Sequence, residues 1–258
     1  MKYDVYYIDA FSSKLFSGNP AAVIFSNLND SGLMQNIAAE NNLSETAFVD
    51  LDTNRIRWFS PTCEVNLCGH ATLASAFVYF NYLSDGKSSI TLNSASGQLK
   101  VYNKKDFLEL DFPKDNYNKV DMVDLVKEAT GSEPIETYLG DINLFAVYEA
   151  EEIVKNITPN FDLVSALEGQ GLIISSPSNS YDFVSRYFCP KYGINEDPVT
   201  GSAHTTLIPY WSNKLNKSNL NANQISCRGG ELFCTNLDDR VLIGGKAILY
   251  MKGCIELN

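Results

Sequence analysis

Short runs of β-branched and aromatic residues, each bounded by turn residues, recur along this chain and predict strands. In the first half they cover residues 5–8, 21–25, 47–49 and 55–59. A meander follows at 89–92, 97–102 and 107–112, and Pro113 closes it. The hydrophobic pattern therefore indicates a strand-rich chain.

Three segments have the apolar spacing of helices. Residues 32–42 carry one apolar face, whereas residues 70–83 have almost no polar face, which is typical of a helix buried on every side. Residues 205–215 repeat this second pattern. A sheet that curls around such a helix covers it completely and shields its own edges.

The two halves of the chain resemble each other. The segments 58–61 (WFSP) and 187–190 (YFCP) precede the two buried helices, and 94–97 (SASG) and 226–229 (SCRG) follow them. The only two histidines, His70 and His204, lie near the starts of these helices and are interpreted as paired copies. We therefore predict an α+β protein of two pseudo-symmetric domains, 1–113 and 114–258, each a mostly antiparallel sheet wrapped around a central helix. The last strand could return to the first half.

Composition excludes several classes of protein. The 258 residues carry a formal net charge of -11 without a Lys/Arg cluster, which disfavours binding to nucleic acid. No stretch approaches the ~20 apolar residues that span a bilayer, and the first residues lead into a strand rather than a signal peptide, so we expect a cytoplasmic protein without a membrane partner. Six scattered cysteines and two histidines disfavour a zinc site, and we expect no metal. Dinucleotide, P-loop and His-Glu-x-x-His motifs are absent.

The segment 195–204 carries the most concentrated chemical signal. Pro198 blocks a helix before it, and Gly201 allows close approach to the backbone at the start of the next helix. The first turn of that helix, with the hydroxyl of Ser202, would offer N–H and O–H donors to a carboxylate. Asp197 beside an anion suits an orienting or proton-bridging role.

Gly69 and His70 open the first buried helix in the same way. A helix N-terminus lowers the pKa of a nearby imidazole, so we expect His70 to be neutral at pH 7. Glu45 enters an apolar strand and is partly removed from water there, which favours a role in proton transfer. Asn19 lies in a Gly-Asn-Pro turn that by itself indicates only a turn.

Five motifs together resemble the PhzF family, the phenazine biosynthesis-like proteins, which share the diaminopimelate epimerase-like fold. They are 18–23 (GNPAAV), 44–48 (SETAF), 67–72 (LCGHAT), 197–204 (DPVTGSAH) and 228–231 (RGGE), in the family's order. The resemblance implies two similar domains with the active site between them, a homodimer, and proton transfer by a glutamate without a cofactor.

The resemblance also implies a role for single residues. Glu45 would be the catalytic proton shuttle, and His70 and Asp197 would assist it. The substrate-binding residues would be Asn19, Gly69, Gly201 and Ser202. The second motif offers a serine where diaminopimelate epimerases have their second cysteine, so a two-thiol racemase is disfavoured.

We therefore expect a cofactor-independent isomerase that moves a proton on a small carboxylate-bearing substrate. Two alternatives remain open at this point. One is a protein that binds a small anion without catalysis, and the other is an epimerase that uses Glu45 and Cys68. The motifs do not identify the substrate.

Overall fold

The computed structural model describes residues 1–257, which form two compact units. The first unit comprises Met1–Asp111 and the C-terminal segment that begins at Ile243, and the second comprises Phe112–Leu242. No helix in the described part of the chain is both long and apolar enough to cross a membrane.

The elements follow one another in this order. The chain begins with β1 (Lys2–Ala10), β2 (Asn19–Phe25), α1 (Ser31–Asn41), β3 (Glu45–Asp50), β4 (Arg55–Phe59), β5 (Glu64–Val65), α2 (Gly69–Val78), β6 (Ser89–Ser94), β7 (Gly97–Asn103) and β8 (Leu108–Pro113). It continues with β9 (Tyr117–Val120), α3 (Val123–Thr130), β10 (Glu136–Gly140), β11 (Leu144–Val147), α4 (Glu151–Asn156), α5 (Phe161–Ala166), β12 (Leu172–Pro177), β13 (Phe183–Cys189), β14 (Ile194–Asp197), α6 (Gly201–Leu215), β15 (Asn219–Gln224), β16 (Gly230–Asn236), β17 (Arg240–Gly245) and β18 (Ala247–Glu256).

In the first unit, β2 and β3 form a parallel pair that is buried on both faces. Strand β1 pairs antiparallel with both β2 and β18, and β4 pairs antiparallel with β3 and β5 and parallel with β6. Ala22, Ile24 and Phe48 pack with α1, and the alternate residues face α2, because successive side chains of a strand point to opposite faces. This double cover explains the unbroken apolar runs in both strands.

Helix α2 is the central helix of this unit. All of its residues except Phe77 are buried, as its apolar sequence predicts. The predicted helix over 70–83 is divided at Tyr79, where a single π-helical turn, Tyr79–Leu83, replaces the α-helical hydrogen bonding.

The second unit repeats the strand pairings of the first. Strands β11 and β12 are parallel, β13 is antiparallel to β12 and β14 and parallel to β15, and β15 is antiparallel to β16. Helix α6 connects β14 to β15, as α2 connects β5 to β6. Helices α3, α4 and α5 contribute Val126, Val154 and Val164 to one apolar core with β11 and β12. The sequence did not predict these three helices because each has eight residues or fewer, too short for a clear 3.6-residue period.

An ion pair that occurs in both units shows which of their residues correspond. In β4 the guanidinium of Arg57 donates from Nε and Nη2 to the two oxygens of Glu64 in β5, both at 2.6 Å. In β13 Arg186 donates in the same way to Glu196 of β14, at 2.7 and 3.0 Å. Each arginine begins an Arg-x-Phe segment and lies over the ring of its phenylalanine. Helices α2 and α6 both begin five residues after the glutamate.

This alignment corrects the interpretation of the two histidines as paired copies. Since Gly69 and Gly201 are equivalent, the counterpart of His70 is Ser202, and the counterpart of His204 is Thr72. The side chains of Thr72 and His204 each donate a hydrogen bond to the carbonyl four residues earlier. The sequence spacing was misleading because both histidines lie within one turn of a helix start.

Candidate active site

Two strand starts and one helix start meet at one edge of the first unit. Asn19 begins β2 and Glu45 begins β3, and the parallel pairing places both at the same edge of the sheet. Counting by twos along each strand places both side chains on the face that α2 covers. Helix α2 begins at this edge and brings His70 to them.

The side chain of His70 lies at the centre of this cluster. Its Nε2 is 3.2 Å from Oε2 of Glu45, and its Nδ1 is 3.1 Å from Nδ2 of Asn19 and 3.5 Å from Sγ of Cys68. The Nε2 atom has no hydrogen bond of standard geometry among the described residues, and its contact with Glu45 is an ion pair when the ring is protonated. His70 is buried, whereas 15% of the Glu45 side chain is exposed.

The surroundings of His70 oppose the neutral state expected from the helix N-terminus. Burial by itself lowers the pKa of the ring, but the interactions with Cys68 and Glu45 act in the opposite direction and raise it well above its ordinary value of 6.5. The sequence argument could not include Glu45, because the two residues meet only through the fold. Asn19 can serve either protonation state, since rotating its amide exchanges a donor for an acceptor.

The thiol of Cys68 is buried and not reactive at neutral pH. Burial raises its pKa to about 11, and the neighbouring Glu45 acts in the same direction. The sulfur of Cys68, a carboxylate oxygen of Glu45 and a ring nitrogen of His70 all lie within 4.8 Å of one another. The cluster therefore combines the carboxyl group of Glu45, an imidazole whose pKa is raised, and a protonated thiol.

Gly18 determines where Asn19 stands. Its φ angle is +72°, and a Cβ at this position would lie 2.1 Å from the carbonyl oxygen of Ala10. Only glycine fits here, so the turn that carries little information in the sequence positions a residue of the cluster.

A second cluster forms in the second unit, where β14 ends and α6 begins. The hydroxyl of Thr200 donates to Oδ2 of Asp197. The side chain of Gln224 is fully buried; it donates from Nε2 to the carbonyl of Asp197 at 2.8 Å and accepts the N–H of Thr200 at 2.9 Å. Sequence reasoning missed Gln224, whose only signal is a polar residue at a buried strand position of β15.

The two central helices begin without a side-chain cap. Cys68 and Thr200 occupy the cap positions of α2 and α6, and neither side chain makes a capping hydrogen bond of standard geometry. In contrast, Asp30 caps α1 through the N–H groups of Gly32 and Leu33. The first turns of the central helices thus keep N–H groups that can bind an anion.

The predicted site residues divide between the two units. The first unit holds Asn19, Glu45, Gly69 and His70, which the structure brings together, and the second holds Asp197, Gly201 and Ser202. Gly201 and Ser202 form the first turn of α6, next to Asp197.

Among the described residues, the second unit has no carboxylate at the strand position that Glu45 occupies in the first. The strand registers make Gly171 the counterpart of Glu45, because each precedes the residue paired with the phenylalanine of the Arg-x-Phe segment. A Cβ at Gly171 would lie 2.6 Å from Oη of Tyr187, so the phenol fills this space.

Comparison with known proteins identifies relatives over the whole length of the chain. The model of the PhzC-PhzF family, described as phenazine biosynthesis-like protein, matches residues 8–253. An uncharacterized isomerase of Pseudomonas aeruginosa is 44% identical, with 100% of both chains covered. The crystal structure of a PhzF family protein from Enterococcus faecalis is 47% identical with a TM-score of 0.96, again over 100% of both chains.

A more distant structure shares the fold alone. A hydroxyproline epimerase from Agrobacterium vitis is 8% identical with a TM-score of 0.61, over 98% of this chain and 92% of that one. The predicted α+β, epimerase-like fold is thereby confirmed. With a family match over nearly its whole length and relatives named as isomerases, the chain belongs to the phenazine biosynthesis-like (PhzF) family.

Proposed function

We propose that this protein is an isomerase that moves a proton on a small carboxylate-bearing substrate without a cofactor. The observation that carries the proposal is the contact between Glu45 and His70, with Oε2 and Nε2 3.2 Å apart and the carboxylate partly exposed. A carboxylate at this point can remove a proton from a substrate carbon and return it at another position.

His70 would balance the charge that moves during this transfer. Its imidazolium faces the Glu45 carboxylate before the reaction, and it can stabilise the anion that forms on the substrate once Glu45 holds the proton. Asn19 keeps the ring in place through its contact with Nδ1. His70 thus contributes electrostatic stabilisation, and Glu45 carries the proton.

The substrate carboxylate would bind at the start of one of the central helices. The backbone N–H groups of Gly69 and Gly201 and the hydroxyl of Ser202 are the proposed donors. Asp197, held by Thr200 and Gln224, would orient the substrate or receive a hydrogen bond from it.

An epimerase that uses Glu45 and Cys68 as opposed bases is less well supported. Two groups on opposite faces of one carbon, each about 3 Å from it, must stand roughly 6 Å apart. The donor atoms of Glu45 and Cys68 lie within 4.8 Å of each other, and burial keeps the thiol protonated. The geometry favours a single base.

Incubation with a panel of small carboxylates in D₂O tests the proposal. An active isomerase incorporates deuterium into its substrate, which mass spectrometry detects without knowledge of the product. A protein that only binds anions would be stabilised against heat by some of these compounds but would exchange no proton in any of them, and that result would contradict the proposal.

The resemblance to the family also leads us to propose a cytoplasmic homodimer. Light scattering coupled to size-exclusion chromatography measures the mass in solution, and a single-chain mass would reject the dimer. Cell fractionation tests the location.

A further inference from the structure

The cluster around His70 combines three different metal-ligand atoms from separate parts of the sequence. Glu45 offers a carboxylate oxygen, Cys68 a sulfur and His70 a ring nitrogen, all within 4.8 Å of one another. The sequence argument against zinc considered only cysteines and histidines that lie close together in the chain. The parallel pairing of β2 and β3 adds the missing third ligand.

We propose that Glu45, Cys68 and His70 form a binding site for a zinc ion. In a tetrahedral zinc site with bonds of about 2.0–2.3 Å, neighbouring ligand atoms lie roughly 3.3–3.8 Å apart. The Sγ atom of Cys68 and the Nδ1 atom of His70 are 3.5 Å apart, which already matches this spacing. Glu45 contacts the other ring nitrogen, Nε2, at 3.2 Å, so a set that uses Nδ1 requires the carboxylate to move to the Cys68 side of the ring. Three protein ligands leave the fourth position of such a site to water.

The ligand types select among metal ions. A thiolate with an imidazole favours zinc and its soft neighbours over Mg²⁺ or Ca²⁺, which prefer oxygen ligands. On binding, the S–H bond of Cys68 breaks, its proton leaves to solvent and an S–Zn bond forms; His70 likewise releases the proton of the coordinating nitrogen. The partly exposed side chain of Glu45 gives the ion a path to the two buried ligands.

The site has a consequence for activity, which rests on the proposed function. An ion held by Glu45 occupies the carboxylate that would carry the proton, so zinc is expected to inhibit isomerisation. Metal binding itself depends only on the geometry of the three side chains.

Calorimetric titration with Zn²⁺ and absorption spectroscopy with Co²⁺ test the site without a known substrate. We expect one ion per chain and, with Co²⁺, the near-ultraviolet band of a thiolate–metal bond. Cys68→Ser should remove that band and weaken Zn²⁺ binding at least tenfold. Glu45→Gln, which keeps the size of the side chain, should weaken binding while the thiolate band remains.

Other cysteines provide matched controls. Cys234→Ser removes a buried thiol of the second unit, and a triple variant replaces the exposed Cys63, Cys227 and Cys254. Both should bind Zn²⁺ as the unmodified protein does. Unchanged binding in a folded Cys68→Ser protein, or loss of binding in the triple variant, would overturn the site.

The two proposals fail in different ways. Zinc binding with no deuterium exchange in any carboxylate would leave the metal site standing and remove the isomerase. Exchange that continues unchanged in saturating Zn²⁺ would show that the metal does not reach Glu45, whatever the activity is.

Discussion

Gly171 occupies in the second unit the position that Glu45 occupies in the first. The phenol of Tyr187 fills the space beside this glycine, so a carboxylate cannot be accommodated there without rearrangement. The second unit repeats the strands, the buried helix and the arginine–glutamate pair of the first unit, but it has a glycine where the first unit has Glu45. Chemistry that needs a base on both sides of a carbon is therefore not supported by the repeat.

The first prediction concerns Glu45. Glu45→Gln should abolish deuterium incorporation and leave ligand binding within a few-fold, because the amide keeps the shape of the side chain but cannot accept a proton from carbon. Glu40→Gln on the exposed side of α1 is the control and should behave as the unmodified protein. A parallel loss of binding and exchange would argue for a structural role of Glu45.

The second prediction concerns the protonation of the two histidines. At pH 7 His70 should carry a proton on both nitrogens, while His204, whose pKa burial lowers to about 4, should be neutral with its proton on Nδ1. Nitrogen-15 NMR of the side chains gives a direct assignment, since the chain has only two imidazoles. In Glu45→Gln the pKa of His70 should fall, because an anionic neighbour is removed. A neutral His70 ring at pH 7 would contradict the prediction for His70.

The third prediction is a stability difference that depends on pH. His204 has a lower pKa in the folded protein than in the unfolded chain, so the unfolded state binds more protons between about pH 6.5 and 4. Its contribution should therefore reduce the free energy of unfolding by on the order of 3 kcal/mol as the pH falls through this window. His204→Asn keeps a donor for the Thr200 carbonyl and should lose this dependence. Urea unfolding at pH 7 and pH 5 measures the difference.

The fourth prediction is that Cys68 is dispensable for turnover. Its thiol is protonated at neutral pH and contacts Nδ1 of His70, whereas Glu45 contacts Nε2 of the same ring. Cys68→Ala should retain activity within a few-fold while losing Zn²⁺ binding. A loss of activity of a hundredfold or more would indicate that the thiol takes part in the reaction.

The fifth prediction concerns the ion pair of Arg57 and Glu64. Glu64→Gln leaves the buried guanidinium without its counter-ion and should cost about 1–2 kcal/mol, less than for a fully buried pair because 40% of the Glu64 side chain is exposed. The hydrogen bond from Arg57 lowers the pKa of Glu64 below its ordinary value of 4.5. The stabilisation is thus fully present above about pH 4.5 and is lost as the pH falls through the lowered pKa. Glu133→Gln, in a pair exposed to water, is the control and should change little.

The sequence predicts the framework of this fold well and its irregular parts poorly. Apolar runs located β1–β4 and β6–β8 within a few residues but missed the two-residue β5, and the buried character of α2 followed from its composition. The short helices of the second unit gave no readable period. The boundary at residue 113 between the two halves stays a prediction.

The site was predictable as a set of residues but not as an arrangement. Motifs pointed to Glu45, His70 and Asp197, whose proposed roles stay to be tested. The contact between Glu45 and His70 depends on the parallel pairing of two strands, which no local pattern reports. The burial of Gln224 beneath Asp197 was likewise invisible, because a glutamine in a strand carries no signal of its partners.

The chain leaves the first unit within β8 and returns to it within β17, so β18 pairs with β1 across almost the whole length of the sequence. During synthesis on the ribosome, the second unit can complete its contacts before β18 is available to pair with the edge of β1. The nascent chain must therefore keep that edge from pairing with other chains until β18 has been synthesised.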